Sequence, residues 1–155
     1  MVTIRRDSGA STSGKVTIDA VGPGLFTMGS TSIGAITALR VTAAGQRTDL
    51  AVFQYNNGKT PEFVTVAIDL GAASDQVYLS LYGTGVRGYS SPAAITATIG
   101  GVAVPVAGAA AHGQYAGLDQ VNLGPLPRAL AGKGESSLVL KVDGKSANTV
   151  TVNIR

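Results

Sequence analysis

Short runs in which apolar and polar residues alternate are the feature that most limits how this chain can fold. In PEFVTVAIDL (residues 61–70), the positions Val64, Val66, Ile68 and Leu70 form one wholly apolar face. A strand with this period buries one face and exposes the other, as strands of antiparallel sheets do. Similar runs recur along the chain, separated by Gly and Pro. The sequence therefore predicts short strands joined by turns.

The predicted fold class is all-β, an antiparallel immunoglobulin-like β-sandwich. Only residues 127–132 predict a turn or a single helical turn. Two hairpins are predicted around Gly100-Gly101 and through Asp143-Gly144, because such dipeptides form two-residue turns. The predicted strands lie in residues 2–6, 15–21, 33–43, 49–55, 61–70, 76–82 and 114–127 and in the hairpins 93–108 and 136–155, with a further turn at NNGK (residues 56–59).

Composition and charge exclude several classes of protein. With 155 residues, 45% of them hydrophobic and 14% charged, the chain is globular rather than disordered. The net charge is only +3 and no basic stripe is interleaved with aromatic residues, so no nucleic-acid partner is expected. The lack of cysteine excludes disulfides, thiolate metal sites and a cysteine nucleophile. No apolar run reaches the roughly 18 residues of a membrane-spanning helix.

The domain prediction divides the chain after residue 75. Residues 1–75 form an N-terminal β segment and residues 76–155 an immunoglobulin-like sandwich module, and the two can pack as one domain. VTIRRDSGASTSGKVTIDAV near the start and LVLKVDGKSANTVTVNIR at the end share a plan of strand, Asp-containing turn, Ser-rich step and V-T-[IV] strand. This echo suggests that the hairpin of residues 2–21 is the end of a preceding module, and that the chain is a piece of a longer protein.

The stretch YLSLYGTGVRGYSSP contains Gly83, Gly85 and Gly88 in the spacing G-x-G-x-x-G. A dinucleotide-binding loop needs a helix after these glycines and an acidic residue about 20 positions later. Here another β run follows the glycines, and no Asp or Glu occurs between Gly88 and Asp119. We therefore interpret the glycines as structural, as a wide turn between sheets, and expect no cofactor. Gly100 and Gly101 are likewise interpreted as structural turn residues.

No catalytic constellation is evident, and the sequence does not predict an enzyme. His112 is the only histidine, it lies in the small-residue loop AAAHGQ, and no G-x-S-x-G elbow presents a serine. The nine carboxylates lie mostly at strand ends and turns, where Asp caps backbone N–H groups. We predict no metal site, with calcium held between two loops kept as a minor hypothesis.

A carbohydrate-binding β-sandwich module is the alternative function. Such modules stack sugars on exposed aromatic side chains, and this chain offers five tyrosines and no tryptophan. Tyr89 lies between Gly88 and Ser90 in a predicted loop, so we expect it to be the most exposed tyrosine and the ligand-binding residue.

Several motifs together resemble an immunoglobulin-like module of the IPT/TIG kind, and especially the uncharacterised C-terminal modules of large secreted or surface proteins of soil acidobacteria. The motifs follow the family's order across residues 16–155, as GPGLFT, LYGTG, IGG, YAGL…QVN…P and a final V…G…S…VT hairpin. The resemblance implies an immunoglobulin-like sandwich, an extracellular or cell-surface location and no catalytic residues.

The predicted function is that of a non-catalytic structural or adhesive module of an exported bacterial protein, acting as a spacer or in protein–protein contact. Its expected partners are an unknown protein or polysaccharide and neighbouring modules of a longer chain. Neither a nucleic acid nor a membrane span is expected.

Overall fold

The computed structural model describes residues 1–58 and 62–155. Residues 59–61, with the end of the predicted NNGK turn and the first residue of the run 61–70, lie outside the described part. The described residues form fifteen β-strands and two short 3-10 turns, Pro92–Ala94 and Arg128–Leu130. The strands are β1 (Val2–Arg5), β2 (Ser11–Gly14), β3 (Gly24–Leu25), β4 (Ile36–Val41), β5 (Arg47–Leu50), β6 (Phe53–Asn56), β7 (Glu62–Thr65), β8 (Gln76–Thr84), β9 (Ile95–Ile99), β10 (Val102–Val104), β11 (Val106–Ala111), β12 (Asp119–Leu123), β13 (Gly134–Val142), β14 (Lys145–Ser146) and β15 (Val150–Ile154).

Two antiparallel sheets form the body of the protein. The six-stranded sheet has the order β11-β12-β8-β4-β5, and β3 also pairs with the end of β8. The five-stranded sheet has the order β10-β9-β13-β14, and β15 pairs with the first half of β13. The nine-residue strands β8 and β13 are therefore bonded to neighbours on both sides. Two further hairpins, β1–β2 and β6–β7, pair only within themselves.

One hydrophobic core lies between the two sheets, which makes the fold a β-sandwich. Alternate residues of β8 and of β13 are buried, and both sets belong to the same cluster. Each fully buried Leu or Ile contributes about 1.5–3 kcal/mol through removal of apolar area from water. The predicted all-β antiparallel sandwich is confirmed, and the immunoglobulin-like assignment stays a prediction. The fully buried leucines and isoleucines are Ile68, Leu79, Leu81, Ile99, Leu123, Leu130, Leu138, Leu140 and Ile154.

The outer edge of β15 is covered by two loop segments. Thr151 exchanges backbone hydrogen bonds with Ser32 and Gly34, and a parallel bridge joins Ile33 to Thr151. Further along the strand, Ile68 forms a second parallel bridge to Ile154. A covered edge cannot pair with another chain, so these loops protect one side of the five-stranded sheet from edge-to-edge aggregation.

Both halves of the sequence contribute to this sandwich. β3 and β4, from the first 75 residues, pair with β8, which begins at Gln76. The core cluster likewise contains Leu25, Ile36 and Ile68 beside the side chains of β8 and β13. The six-stranded sheet thus depends on backbone pairing across the boundary at residue 75.

The predicted hairpins of the second half are present. β9 and β10 are joined by Gly100 and Gly101, which have positive φ of 53° and 80°. β13 turns into β14 through Asp143 and Gly144, with φ of 49° and 77°. These are the backbone conformations that a two-residue turn with the right-handed strand twist requires.

The first hairpin differs from its prediction. β1 pairs with Ser11–Gly14, which the sequence predicts as a loop, and the predicted strand of residues 15–21 does not form. The reason is a tight turn, in which the Arg6 N–H donates to Ala10 and the Gly9 N–H donates to Arg6. That turn brings β1 back onto the polar residues next in sequence, and residues 15–20 remain exposed.

Two predicted strands are shorter than the alternation of the sequence suggests. The run of residues 49–55 is broken at Ala51 and Val52, because the chain leaves the six-stranded sheet there and begins the separate β6–β7 hairpin. The described part of the run 61–70 is a strand only over Glu62–Thr65, although Ile68 and Leu70 are buried as predicted. Among the described residues, no helix has the length and apolar character needed to cross a membrane.

The carboxylate of Asp69 ties the end of the chain to the loop before β8. It accepts hydrogen bonds from the Gly71 N–H at 2.9 Å and from the Arg155 guanidinium at 2.7 Å, and Arg40 lies 3.8 Å away. The Gly71 N–H and, after it, the charges of Arg155 and Arg40 lower the pKa of Asp69 below its ordinary value of 3.8, although partial burial opposes them.

This lowered pKa predicts a pH dependence. A carboxyl that is more acidic in the folded state stabilises the fold above its unfolded pKa, and that stability is lost as the pH falls through the folded pKa. The melting temperature of the unaltered protein should therefore fall more steeply than that of Asp69→Asn as the pH is lowered from about 5. Circular dichroism melts at a series of pH values measure this. Parallel curves for the two proteins would contradict the role given to Asp69.

Candidate functional site

The G-x-G-x-x-G stretch packs against the protein's own backbone. A Cβ added at Gly83, Gly85 or Gly88 would overlap a backbone carbonyl oxygen, that of Gly24, Gly22 or Ala20 respectively. The Gly22 N–H also donates to the Gly85 carbonyl at 2.9 Å. The backbone of residues 20–24 therefore packs directly against these three glycines. The space that a pyrophosphate would need against them is filled by this segment, and the chain runs on into the 3-10 turn Pro92–Ala94 and then β9.

A buried carboxylate holds the same loop. Asp119, which is 1% exposed at the start of β12, accepts hydrogen bonds from the Val86 N–H at 2.7 Å and the Arg87 N–H at 3.1 Å. The Arg87 side chain adds an ion pair, since its Nε donates to the Asp119 carboxylate at 2.6 Å. Asp119 is one of the nine carboxylates, most of which the sequence predicts to cap backbone N–H groups at strand ends and turns, but its burial is not predicted. The alternation of β12 could have indicated this burial, because Asp119 is two and four residues from the inward-facing Val121 and Leu123 and so lies on the same side of the strand.

A second carboxylate, that of Asp143, holds the loop after β8 against the five-stranded sheet. The Asp143 carboxylate accepts hydrogen bonds from the Ser90 N–H at 3.0 Å and from the Ser90 hydroxyl at 2.5 Å. Asp143 is the turn residue between β13 and β14, so this pair fixes the loop after β8 to the opposite sheet. Asp119 and Asp143 are thus both occupied in holding the backbone of this loop.

The expectation that Tyr89 is the most exposed tyrosine is wrong. Tyr89 is half-buried, packs against the core, and donates its hydroxyl to the Ala109 carbonyl at 3.2 Å. Tyr55 and Tyr115 are far more exposed, at 57% and 64%. The sequence placed Tyr89 in a loop, which is correct, but the fold turns this loop inward over β11. A ligand-binding role for Tyr89 stays a prediction.

The outward side of the six-stranded sheet, here called the outer face, carries polar and aromatic residues. Tyr78, Ser80 and Tyr82 of β8 alternate with buried Val77, Leu79 and Leu81, and therefore point away from the core. Gln120 and Asn122 of β12 line two adjacent depressions on this face, one towards β11 and one towards β4 and β5. The sheet thereby positions a set of polar side chains outside the core.

Hydrogen bonds hold the side chains of the outer face in place. The Asn122 carbonyl oxygen accepts from the Ser80 hydroxyl at 2.9 Å and from the Gln120 amide at 2.7 Å. The Tyr78 hydroxyl donates to Gln76 at 2.7 Å, and the hydroxyls of Thr37 and Tyr82 lie 3.4 Å apart. Two amides and several hydroxyls are thereby ordered before any ligand arrives.

An aromatic cluster stands at one side of the outer face. The His112 ring stacks on Tyr115 with centroids 5.7 Å apart and makes an edge-to-face contact with Tyr82, with centroids 6.1 Å apart. Within the described residues, the one hydrogen bond to the His112 side chain comes from the Gln114 N–H, so no serine or carboxylate is aligned with this histidine for catalysis. No group of three His, Cys, Asp or Glu side chains capable of holding a metal occurs in the described part of the chain.

Comparisons with protein-family models, with curated proteins and with solved structures find no match to this chain. The fold and the outer face are therefore interpreted from their own geometry.

The packing of residues 20–24 against the glycines predicts that two glycines with positive φ differ in how much their substitution destabilises the protein. Gly85→Ala should destabilise the protein by more than Gly101→Ala, because both add about 1–2 kcal/mol of left-handed strain but only Gly85 meets backbone. Overpacking adds about 1–3 kcal/mol at Gly85. Urea unfolding of the two variants measures the difference. Equal losses would show that residues 20–24 do not press on the glycines.

The burial of Asp119 predicts that its substitution destabilises the protein more than substitution of its ion-pair partner Arg87. Asp119→Ala leaves the Val86 and Arg87 N–H groups unpaired, which costs about 1–3 kcal/mol for each buried donor. Arg87→Ala keeps the two backbone bonds to Oδ2 and removes the guanidinium bond to the buried Oδ1, which costs about 1.5–3 kcal/mol for a bond to a charged group, so its loss should be smaller than that of Asp119→Ala. Comparison of the denaturant midpoints tests this. A larger loss from Arg87→Ala would place the stabilising contact in the ion pair instead of the backbone clamp.

Proposed function

We propose that this protein is a non-catalytic structural or adhesive module of an exported bacterial protein, acting as a spacer or protein–protein contact beside neighbouring modules. The observation that carries this proposal is the unpartnered state of the first hairpin. Residues 1–20 are exposed throughout, and β1 and β2 pair only with each other. The hairpin adds nothing to the hydrophobic core of the sandwich.

The exposed segment of residues 1–20, which contains the β1–β2 hairpin, carries many apolar side chains for a segment on the surface. In the described part of the chain, five of the eight exposed large hydrophobic side chains lie in the hairpin or just after it: Met1, Val2, Ile4, Val16 and Ile18. Single exposed apolar residues are normal on a protein surface, but five within one short exposed segment favour a contact surface. Ile4 is 64% exposed and Ile18 is 92% exposed, so contact with another chain surface would remove most of their area from water.

The sequence echo indicates what kind of surface the hairpin fits. When VTIRRD and LVLKVD are aligned on their aspartates, Val2 and Ile4 correspond to Leu138 and Leu140 of β13. Both leucines are fully buried between the two sheets. The V-T-[IV] run at residue 16 likewise corresponds to that of β15, whose valines are buried. The same pattern that closes this sandwich at its end is thus presented unburied at its start, which favours contact with a module of the same kind.

The resemblance to IPT/TIG-type modules supports the same proposal. It implies an immunoglobulin-like sandwich in a surface or secreted protein, and hence an extracellular or cell-surface location. Among the described residues, the carboxylates of Asp69, Asp119 and Asp143 accept hydrogen bonds from backbone N–H groups and so help to hold the fold.

The hairpin predicts self-association, since a second copy presents a module of the same kind. The full chain should show a molar mass that rises with concentration in light scattering. The double variant Ile4→Ser with Ile18→Ser should stay monomeric because its contact surface is no longer apolar. Its melting temperature should equal that of the unaltered protein, since neither side chain belongs to the core.

The control is Phe26→Ser, which removes an exposed aromatic outside the hairpin. This variant should associate as the unaltered protein does. A full chain that stays monomeric at every concentration would overturn the proposed contact role of the hairpin.

A further inference from the structure

A row of small and polar residues crosses four strands of the outer face. The register of the sheet sets Gly108 of β11 opposite Asn122, Asn122 opposite Ser80, and Ser80 opposite Thr37 of β4. Residues directly opposite each other in an antiparallel sheet share a face, so these four form one continuous floor. Four strands at the usual spacing span about 14 Å. A floor of that length suits an extended oligomer better than a single small molecule.

Tyrosines stand on both sides of this floor. Tyr82 lies in the next row on one side, opposite Gln120 and in contact with the aromatic cluster of His112 and Tyr115. Tyr78 lies in the next row on the other side, opposite Leu39. Small residues separate the two tyrosines, so the row is the floor of a shallow groove, with Tyr78 lining the depression towards β4 and Tyr82 beside the floor on the other side. The two depressions on this face meet along it at Gln120 and Asn122.

The polar groups of the groove are amides and hydroxyls that still have bonding capacity. The Asn122 oxygen is fully used by Ser80 and Gln120, while its NH₂ group and the Gln120 oxygen have no partner among the described residues. An amide pair therefore offers both donors and an acceptor to a ligand. Asp49, at the β5 end, is the one carboxylate among the residues that line the described depressions, and no Lys or Arg lines them.

We infer that this groove binds a neutral polysaccharide. A chain of sugar rings presents apolar C–H faces that pack on tyrosine rings and hydroxyls that pair with amides, and it is extended. Nucleic acids and acidic polysaccharides need cationic side chains to neutralise them, which the groove lacks. An apolar peptide suits this groove less well, because amides and hydroxyls lie along its floor. The inference concerns the outer face and does not depend on the hairpin contact proposed above.

Affinity electrophoresis through gels that contain one soluble polysaccharide each tests this inference. The neutral probes are hydroxyethylcellulose, xyloglucan, galactomannan, amylopectin and dextran, and the acidic probe is polygalacturonate. The full chain should be retarded by at least one neutral probe and not by polygalacturonate. Tyr82→Ala and, separately, Asn122→Ala should weaken the binding by about tenfold or more, as truncation at the centre of a site does.

The matched control is Tyr55→Ala. It removes a ring of the same size that is 57% exposed, but from β6 in the separate hairpin, and should leave retardation unchanged. Thermal melts establish that each variant is folded, and Tyr82→Phe, which keeps the ring, should retain most of the binding. The inference is overturned if no neutral probe retards the protein, if polygalacturonate alone does so, or if binding survives both groove variants.

Discussion

Two nine-residue strands, β8 and β13, each bury one face in a common core, and the remaining strands depend on that burial. Each strand has hydrogen-bonded neighbours on both sides, so each organises a sheet. Their inward-facing side chains are mostly Val and Leu, whose rotamers are few and whose shapes interlock closely. Once these faces are buried, the outward side chains of the same strands are fixed in position as well. The polar outer face is therefore a consequence of the core: Tyr78, Ser80 and Tyr82 point outward because Val77, Leu79 and Leu81 point inward.

The loop after β8 shows how a sequence motif can have a backbone function. Gly83, Gly85 and Gly88 lack side chains because residues 20–24 lie directly against them. Asp119 then pairs the N–H groups that this tight path leaves in the interior. A buried N–H without a partner is costly, so a carboxylate with two accepting oxygens is a suitable residue at this point. The motif and the carboxylate together attach the beginning of the sandwich to its central strand.

The two proposed contacts use different physics and lie on different parts of the molecule. The hairpin of residues 1–20 offers apolar side chains, which favour a protein surface with a matching apolar groove. The outer face offers ordered amides and tyrosines with almost no charge, which favours a neutral, hydroxyl-rich polymer. A module of this kind could join its neighbours at one end and hold a polysaccharide on its sheet, which is the combination that an adhesive protein needs.

The sequence by itself determined the fold class, most strand positions and the two hairpins at Gly100-Gly101 and Asp143-Gly144. These features depend on period-two alternation and on local turn chemistry, both of which act between residues close in the chain. Only the tertiary structure decided that β1 pairs with residues 11–14, that the loop with Tyr89 turns inward, and that Gln120, Asn122 and three separate aromatic residues meet on one face. Those outcomes depend on strand order and on which surfaces approach each other. Such contacts join residues far apart in sequence, and no local pattern records them.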